Sequence, residues 1–167
     1  MIIYHGGTEI IEKPEIRPSL ATRDFGTGFY CTDIRSQAEK WALRQGRIRK
    51  KSSVLNIYEF NIEEAKRTVN CKTFEGYAIE WLEIVINCRK NPDHIHGFDI
   101  VYGKIANDDV GETIQAVISG LMPFDYALQK LVFMHANNQY CFCTGKSLEY
   151  LKYIESVKLE QKWRTEQ

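Results

Sequence analysis

The segment Asp24–Cys31 constrains this chain more than any other, because it places two closely spaced glycines between aromatic residues. It reads Asp-Phe-Gly-Thr-Gly-Phe-Tyr-Cys and leads into an amphipathic helix pattern. Glycine lacks a Cβ atom and tolerates positive φ, so the backbone here can come close to a flat ligand. A second glycine pair, Gly6-Gly7, follows a short hydrophobic strand pattern that ends at His5. Together these segments predict a ligand-binding strand edge.

The composition is that of a globular protein. At 167 residues the chain can bury a core without disulfides, and we predict a single domain over residues 1–167. Lysine plus arginine and aspartate plus glutamate both number 22, so no net charge directs the whole chain to nucleic acid or a membrane. No apolar run reaches the roughly 18 residues of a membrane span, and the N-terminus lacks an export signal. We therefore expect a cytoplasmic protein without membrane contact.

Strand and helix patterns alternate irregularly along the chain. Strands are predicted at residues 2–5, 54–61, 98–105, 139–144 and 153–159. A first helix is predicted to begin after a cap at Asp33. Further helices are predicted over residues 74–86, 108–119 and 123–131, and a helical turn at 146–151. The first helix carries Ile34, Ala38, Trp41 and Ala42 at helical spacing. This order indicates an α+β fold with mixed, mainly antiparallel sheets and flanking helices.

Several motifs follow one another in an order that resembles a known superfamily. After Tyr4-His5-Gly6 come Asp-Phe-Gly-x-Gly-Phe-Tyr at 24–30, Gln-Ala-x-x-Trp-Ala at 37–42, Gly-x-x-Ala-Asn-Asp at 103–108 and Asn-x-Gln-x-x-Phe-x-Thr at 137–144. The set resembles the ADP-ribosyltransferases, in the branch whose His-Tyr-Glu triad diphtheria toxin shares with the poly-ADP-ribose polymerases. It is still more similar to an uncharacterised bacterial family of that superfamily, a domain of unknown function. The resemblance implies an ADP-ribosyltransferase-like fold and NAD as co-substrate.

The resemblance also implies roles for single residues. His5 would hydrogen-bond the adenosine ribose of NAD, and the backbone of Gly6 would hold the nicotinamide carboxamide. Tyr30 and Trp41 would sandwich the nicotinamide ring, where offset stacking contributes about 0.5–1.5 kcal/mol per aromatic pair. The other residues expected to line the NAD site are Gly7, Phe25, Gly26 and Gly28. The residues alone leave another interpretation open, in which His5, Tyr30 and Trp41 belong to the core.

The chain departs from the triad at its third position. There the resemblance aligns Gln139 with the family glutamate, so the implied catalytic set is His5, Tyr30 and Gln139. A glutamine accepts a hydrogen bond but brings no charge and cannot act as a general base. We therefore expect mono-ADP-ribosylation of a protein or nucleic-acid acceptor, with release of nicotinamide, rather than polymer elongation. The alternative is a non-catalytic NAD or ADP-ribose binding module.

A bacterial toxin or effector, with a neutralising partner protein, is one setting for such a transferase.

No metal is expected. Cys141-x-Cys143 lacks the spacing of a structural zinc site. All five cysteines are predicted to be buried thiols, namely Cys31, Cys71, Cys88, Cys141 and Cys143. His94 and His96 are predicted to lie in a solvated loop.

Two further polar segments have structural and functional interpretations. Asn107-Asp108 is predicted to cap a helix, with a substrate-loop role as the alternative. The basic run Arg44–Lys51 is predicted to be a solvated helix end. The alternative for this run is contact with nucleic-acid phosphate or with the NAD diphosphate, since such contacts need clustered lysine and arginine.

Overall fold

The structure is a computed structural model that describes residues 1–18 and 22–160. The chain divides into two compact units. The first comprises Met1–Pro14, Cys31–Glu64 and Glu149–Gln167, of which 149–160 are described, and the second comprises Glu15–Tyr30 and Ala65–Leu148. Helices accompany strands that pair mainly antiparallel, which confirms the predicted α+β class. The single domain over residues 1–167 stays a prediction, since two compact units can form one folding domain.

The first unit is built on a three-stranded antiparallel sheet. Its order is β1-β3-β7, with β1 at Ile2–Gly7, β3 at Ser53–Phe60 and β7 at Leu151–Leu159. Because the central strand β3 pairs on both sides, all its residues except Glu59 are buried. Helix α1, at Arg35–Arg49, packs on β1 and β3.

Helix α1 contacts the sheet through its smallest residues. Ala38, Ala42 and Gly46 are spaced four apart, and all three are buried. Ile34 and Trp41, predicted on the same stripe, are 36% and 49% exposed, so that part of the prediction is wrong. The reason is steric, since small side chains let a helix approach a sheet more closely than a tryptophan would.

The start of α1 also differs from the prediction. Asp33 does not cap it, because the N-cap position is Ile34 and no side chain there accepts a hydrogen bond. The Oγ1 atom of Thr32 instead accepts a hydrogen bond from the Ile34 backbone N–H, at 3.1 Å. The preceding residue thus fixes the turn into the helix.

The second unit contains a four-stranded sheet, with helices α3 to α5. The sheet order is β2-β6-β5-β4, with β2 at Phe29–Cys31, β6 at Asn138–Phe142, β5 at Ile100–Lys104 and β4 at Cys71–Thr73. Strands β4 and β5 are parallel, whereas β5 and β6 are antiparallel, with Gly103 opposite Gln139. The helices are α2 at Ile62–Thr68, which crosses the unit boundary, α3 at Ile79–Lys90, α4 at Asp108–Ile118 and α5 at Phe124–Leu131, followed by a 3-10 helix at Gly145–Tyr150.

Two sequence predictions in this part of the chain have clear outcomes, and two short elements were missed. The helix predicted from residue 74 begins only at Ile79, because Gly76 has a φ of 80° and Ala78 is extended. The cap at Asn107 is confirmed, since its side chain accepts a hydrogen bond from the Val110 N–H. Helix α2 and strand β4 were not predicted. Helix α2 buries only Ala65 and so shows no apolar stripe, and β4 has just three residues.

Gly6 is the point at which α1 lies against β1. A Cβ atom at this position would overlap the carbonyl oxygen of Ala38 and would lie 3.0 Å from the backbone nitrogen of Ala42. Both atoms belong to helix backbone and cannot rotate away as a side chain could. The absence of a side chain at Gly6 is therefore a packing requirement within the first unit.

We expect Gly6→Ala to lower the free energy of unfolding by about 3 kcal/mol, the upper end of the range for overpacked cores. Gly145→Ala is the matched control, because a Cβ there meets nothing within 4 Å. That control should change stability by less than about 0.5 kcal/mol. Equilibrium denaturation in urea measures both. Equally small losses would show that α1 moves to admit the methyl group.

Candidate functional site

The predicted site residues form one group in each unit. The group in the first unit consists of His5, Gly6, Gly7 and Trp41. The group in the second unit consists of Phe25, Gly26, Gly28, Tyr30 and Gln139. In the second unit, hydrogen bonds to the side chain of Asp24 connect the strand that carries Gln139 with the loop that carries the two glycines.

The Asp24 carboxylate is the polar centre of the second unit. The residue is only 7% exposed, and its two oxygens accept four hydrogen bonds. Arg89 donates from Nε at 3.0 Å and from Nη2 at 2.7 Å to Oδ1. The Ala106 backbone N–H and the Gln139 side-chain amide donate to Oδ2, at 2.9 and 3.1 Å. A carboxylate so deeply buried is tolerated because a cation and several donors compensate it.

Sequence reasoning missed Asp24 and Arg89 as site residues, although the sequence contained a signal for the first. Asp24 opens the Asp-Phe-Gly-x-Gly-Phe-Tyr motif, Ala106 lies in Gly-x-x-Ala-Asn-Asp, and Gln139 lies in Asn-x-Gln-x-x-Phe-x-Thr. The fold brings these three motifs to one carboxylate. Arg89 belongs to none of the motifs, so the cation that balances the charge could be found only from the structure.

Asp24 fixes the orientation of the Gln139 side chain. An ionised carboxylate only accepts hydrogen bonds, so the amide must turn its Nε2 atom toward Asp24, as observed at 3.1 Å. The carbonyl atom Oε1 is then directed away from Asp24. Among the described residues, Oε1 accepts no hydrogen bond, and Gln139 is only partly buried. The arrangement presents one oriented acceptor on β6.

The face of β6 that carries Gln139 continues with Cys141, because alternate residues of a strand point to the same side. Cys141 lies beside Tyr30, and a Cβ atom at Gly28 would overlap its sulfur. Gly28 would also come within 2.7 Å of the Phe142 carbonyl oxygen if it had a Cβ. Gly28 is therefore a packing position where the chain crosses β6.

Tyr30 holds the turn at Phe25–Gly26, the glycine turn, through its hydroxyl group. The hydroxyl donates a hydrogen bond to the Gly26 carbonyl oxygen at 2.6 Å and accepts one from the Phe25 N–H at 3.2 Å. Burial, with Cys141 nearby, holds the pKa of Tyr30 well above its usual value, so the hydroxyl keeps its proton. The Arg23 guanidinium lies over the ring, 5.3 Å from its centroid. Gly26 has a φ of 75°, a conformation that favours glycine.

Phe25 belongs to the hydrophobic core. Its side chain is fully buried and stacks on Phe74 at 6.4 Å between ring centroids. Gly103 leaves room for it, since a Cβ there would lie 3.1 Å from the Phe25 ring. Of the residues predicted to line the NAD site, Phe25 can thus offer a ligand only its backbone.

The loop that carries His96 is bound to the glycine turn and is not simply solvated, so that prediction is wrong for His96. The Phe98 N–H donates to Nδ1 of His96 at 3.2 Å, which leaves Nε2 to donate to the Phe25 carbonyl oxygen at 3.1 Å. The ring also stacks on Phe98, with 5.5 Å between centroids. His96 thus binds the carbonyl oxygen of Phe25, whereas Tyr30 binds its N–H.

The cysteines are free, and Cys31, Cys88 and Cys141 are buried as predicted, whereas Cys71 and Cys143 are partly exposed. Burial raises the pKa of Cys88 to about 12. A hydrogen bond to Cys141, together with burial, raises the pKa of Cys143 as well. Such thiols stay protonated near neutral pH and are weak nucleophiles.

Within residues 1–18 and 22–160, no group of three or more His, Cys, Asp or Glu side chains is arranged so that it could hold a metal ion.

In the first unit, β1 presents backbone groups along its outer edge. The Tyr4 N–H and C=O pair with Thr32, at 2.8 and 2.9 Å, on the side away from β3. Because backbone groups alternate sides along a strand, the N–H and C=O of Gly6 are directed to the same edge. Half-buried His5 lies between them, opposite Asn56 on β3.

Trp41 lies on the exposed flank of α1. Its side chain is 49% exposed, and the Arg44 guanidinium lies 5.9 Å from the ring centroid. A tryptophan exposed to this degree has apolar surface left for a stacking partner. It is not one of the core aromatics that formed the alternative interpretation.

Comparison with known proteins gives a family but no function. Residues 1–153 match the family described as "Protein of unknown function (DUF3990)", and the chain belongs to that family. No curated protein and no solved structure matches the chain. None of the helices in the described part of the chain is long and apolar enough to cross a membrane.

Breaking the Asp24 centre should destabilise the protein strongly. We expect Asp24→Asn to lower the free energy of unfolding by about 3 kcal/mol, because it leaves Arg89 without a counter-charge and turns one acceptor into a donor. Glu39→Gln is the matched control, since the side chains of its ion pair with Arg35 are 33% and 51% exposed and such surface pairs contribute little to stability. Equilibrium denaturation decides between them, and equal losses would refute the central role of Asp24.

Tyr30→Phe tests whether the hydroxyl holds the turn. The change leaves the Phe25 N–H and the Gly26 carbonyl without their partner, and we expect a loss of about 1–2 kcal/mol in unfolding free energy. Tyr126→Phe, on a side chain that is 58% exposed, should change stability by less than about 0.5 kcal/mol. Thermal or urea unfolding measures both. A Tyr30→Phe protein as stable as its parent would mean that the turn forms without this hydroxyl.

Proposed function

We propose that this protein is an NAD-dependent mono-ADP-ribosyltransferase with an ADP-ribosyltransferase-like fold, acting on a protein or nucleic-acid acceptor. The observation that carries the proposal is the orientation of Gln139. Its Nε2 atom is held by buried Asp24, so Oε1 is turned to accept a hydrogen bond from a ligand hydroxyl. The sequence resemblance assigns this position to the 2′-hydroxyl of the nicotinamide ribose.

The chemistry of the transfer agrees with a neutral group at this position. The bond between the nicotinamide nitrogen and C1′ of the ribose breaks, nicotinamide leaves with the bonding electrons, and an acceptor atom bonds to C1′. Positive charge develops on the ribose as the bond breaks, and an oriented carbonyl dipole next to it stabilises that charge. Gln139 cannot take a proton from the acceptor. The acceptor must therefore be a good nucleophile already, such as a carboxylate, a phosphate or a nucleobase nitrogen.

The outer edge of β1 supports the assignment of the nicotinamide carboxamide to Gly6. A carboxamide has one donor and one acceptor side, which matches an N–H and C=O pair on one strand edge. The pair on Gly6 points to the edge that Tyr4 uses for Thr32. His5, the residue before Gly6, is the proposed partner of the adenosine ribose.

The aromatic residues support stacking with a cationic ring. Arg23 lies over the Tyr30 ring, and Arg44 lies close to the Trp41 ring. Aromatic faces attract cations, and the nicotinamide ring of NAD is itself cationic. Because Arg23 is an exposed side chain, it can leave the Tyr30 ring at small cost when a ligand ring takes its place.

A non-catalytic NAD or ADP-ribose binding module is the second candidate, and one observation favours it. The position that holds the family glutamate carries no charge here, and its amide nitrogen is already used by Asp24. Such a module would bind NAD with the same residues but release no nicotinamide. Measuring nicotinamide release and NAD binding side by side separates the two functions.

Gln139→Ala tests the proposal. With labelled NAD and a lysate as the source of acceptors, we expect the variant to transfer label about 10–1,000-fold more slowly, the loss usual for a group aimed at developing charge. NAD affinity should fall much less. Gln115→Ala is the matched control, because Gln115 is exposed on α4 and its side chain, among the described residues, bonds Ser119 at the end of the same helix.

The outcomes separate cleanly. Transfer by the Gln139→Ala variant at the parental rate would show that the third catalytic position lies elsewhere. NAD binding without transfer in the parent would favour the binding module. A parent that binds no NAD would refute both functions. Protease and nuclease treatment of the labelled fraction then identifies the class of acceptor.

A further inference from the structure

A basic concavity lies within the first unit, at the end of α1. Its volume is about 490 Å³, and it is lined by Gly46, Arg47, Lys50, Lys51, Ser52, Ser53, Lys158 and Leu159. Four of these residues are cationic and none is acidic. In a chain with equal numbers of basic and acidic residues, such a lining is a local concentration of positive charge.

Most of these cations have no counter-ion among the residues that the structure describes. Among residues 1–18 and 22–160, Arg47, Lys50 and Lys158 make no ion pair. Lys51 lies 3.7 Å from Glu9, and both side chains are more than half exposed. Cations held close together repel one another, so a bound anion would relieve an unfavourable field.

Helix stability does not account for the whole cluster. Basic residues in the last turn of a helix interact favourably with its dipole, and this explains Arg47. Lys158 lies on β7 and gains nothing from that dipole. Lys50 has a φ of 53°, in the left-handed region that favours glycine. The sheet and the end of α1 thus place more cations around this cavity than stabilisation of the helix dipole explains.

The positive charge continues from the cavity along α1. Lys40, Arg44 and Arg47 are exposed and lie four and then three residues apart, which puts them on one face of the helix. At 1.5 Å per residue this row is about 10 Å long. The row and the cavity together suit a ligand with several phosphates in a line better than a compact anion with one or two.

We propose that this concavity binds the phosphate backbone of a single-stranded nucleic acid, with Arg47, Lys50, Lys51 and Lys158 as the contacts. A flat anionic membrane would reach the rim of such a hollow less well than a flexible strand would. This nucleic-acid site is an inference beyond the proposed function. The further step, that the bound nucleic acid is also the acceptor of ADP-ribose, rests on the proposed function.

Fluorescence anisotropy with a labelled oligouridine of about 12 nucleotides, measured in the absence of NAD, tests the binding. The test variant is Lys50→Glu with Lys158→Glu. Its matched control is Lys13→Glu with Lys152→Glu, which changes net charge equally at exposed sites outside the cavity lining, one of them on the same strand β7. Circular dichroism checks that both proteins fold as the parent does.

We expect the cavity variant to bind at least about 10-fold more weakly at about 0.1 M salt, and the control to change less than about 3-fold. Loss of two phosphate contacts should also reduce the slope of log K against log salt by about 1.4. Equal losses in both variants would reduce the effect to net charge and overturn the proposal. No binding by the parent, displacement of the oligonucleotide by NAD, or cavity-dependent binding to anionic vesicles but not to the oligonucleotide would also overturn it. If the oligonucleotide binds while labelled NAD gives no transfer, the proposed function fails and the nucleic-acid site stands.

Discussion

The second unit depends on one buried carboxylate. Asp24 accepts hydrogen bonds from α3, from the chain just after β5 and from β6, so its loop is held to three parts of the unit at once. A carboxylate removed from water is unfavourable unless its partners are in place, and this makes the arrangement specific as well as compact. The same contacts orient Gln139. Stability and the candidate active group are thus coupled through a single side chain.

The glycines of the motifs serve packing more often than ligand access. Gly6 lies against the backbone of α1, and Gly28 lies against β6. Gly26 alone among these three has a positive φ, which the turn held by Tyr30 requires. The glycines therefore bring the backbone close to other protein segments, and this closeness sets the geometry of the β1 edge and of the glycine turn.

The sequence predicted the α+β class and most elements because their apolar periods are regular, as in α3 and β3. It failed where contacts distant in sequence decide the outcome. Whether Ala38 or Trp41 faces the sheet depends on the glycine at position 6, and no helical pattern contains that information. The role of Asp24 likewise depends on Arg89, 65 residues away. The motif residues could be found from the sequence, but what holds them in place could not.

The proposed function depends on NAD being the ligand and on the Gln139 side chain contacting its nicotinamide ribose. A titration of isotope-labelled protein with NAD, followed by NMR at the side-chain amide of Gln139, measures this contact. We expect this signal to shift on addition of NAD and to reach a plateau that gives one dissociation constant. A titration in which it does not move while residues remote from Gln139 in the fold respond would contradict the proposal.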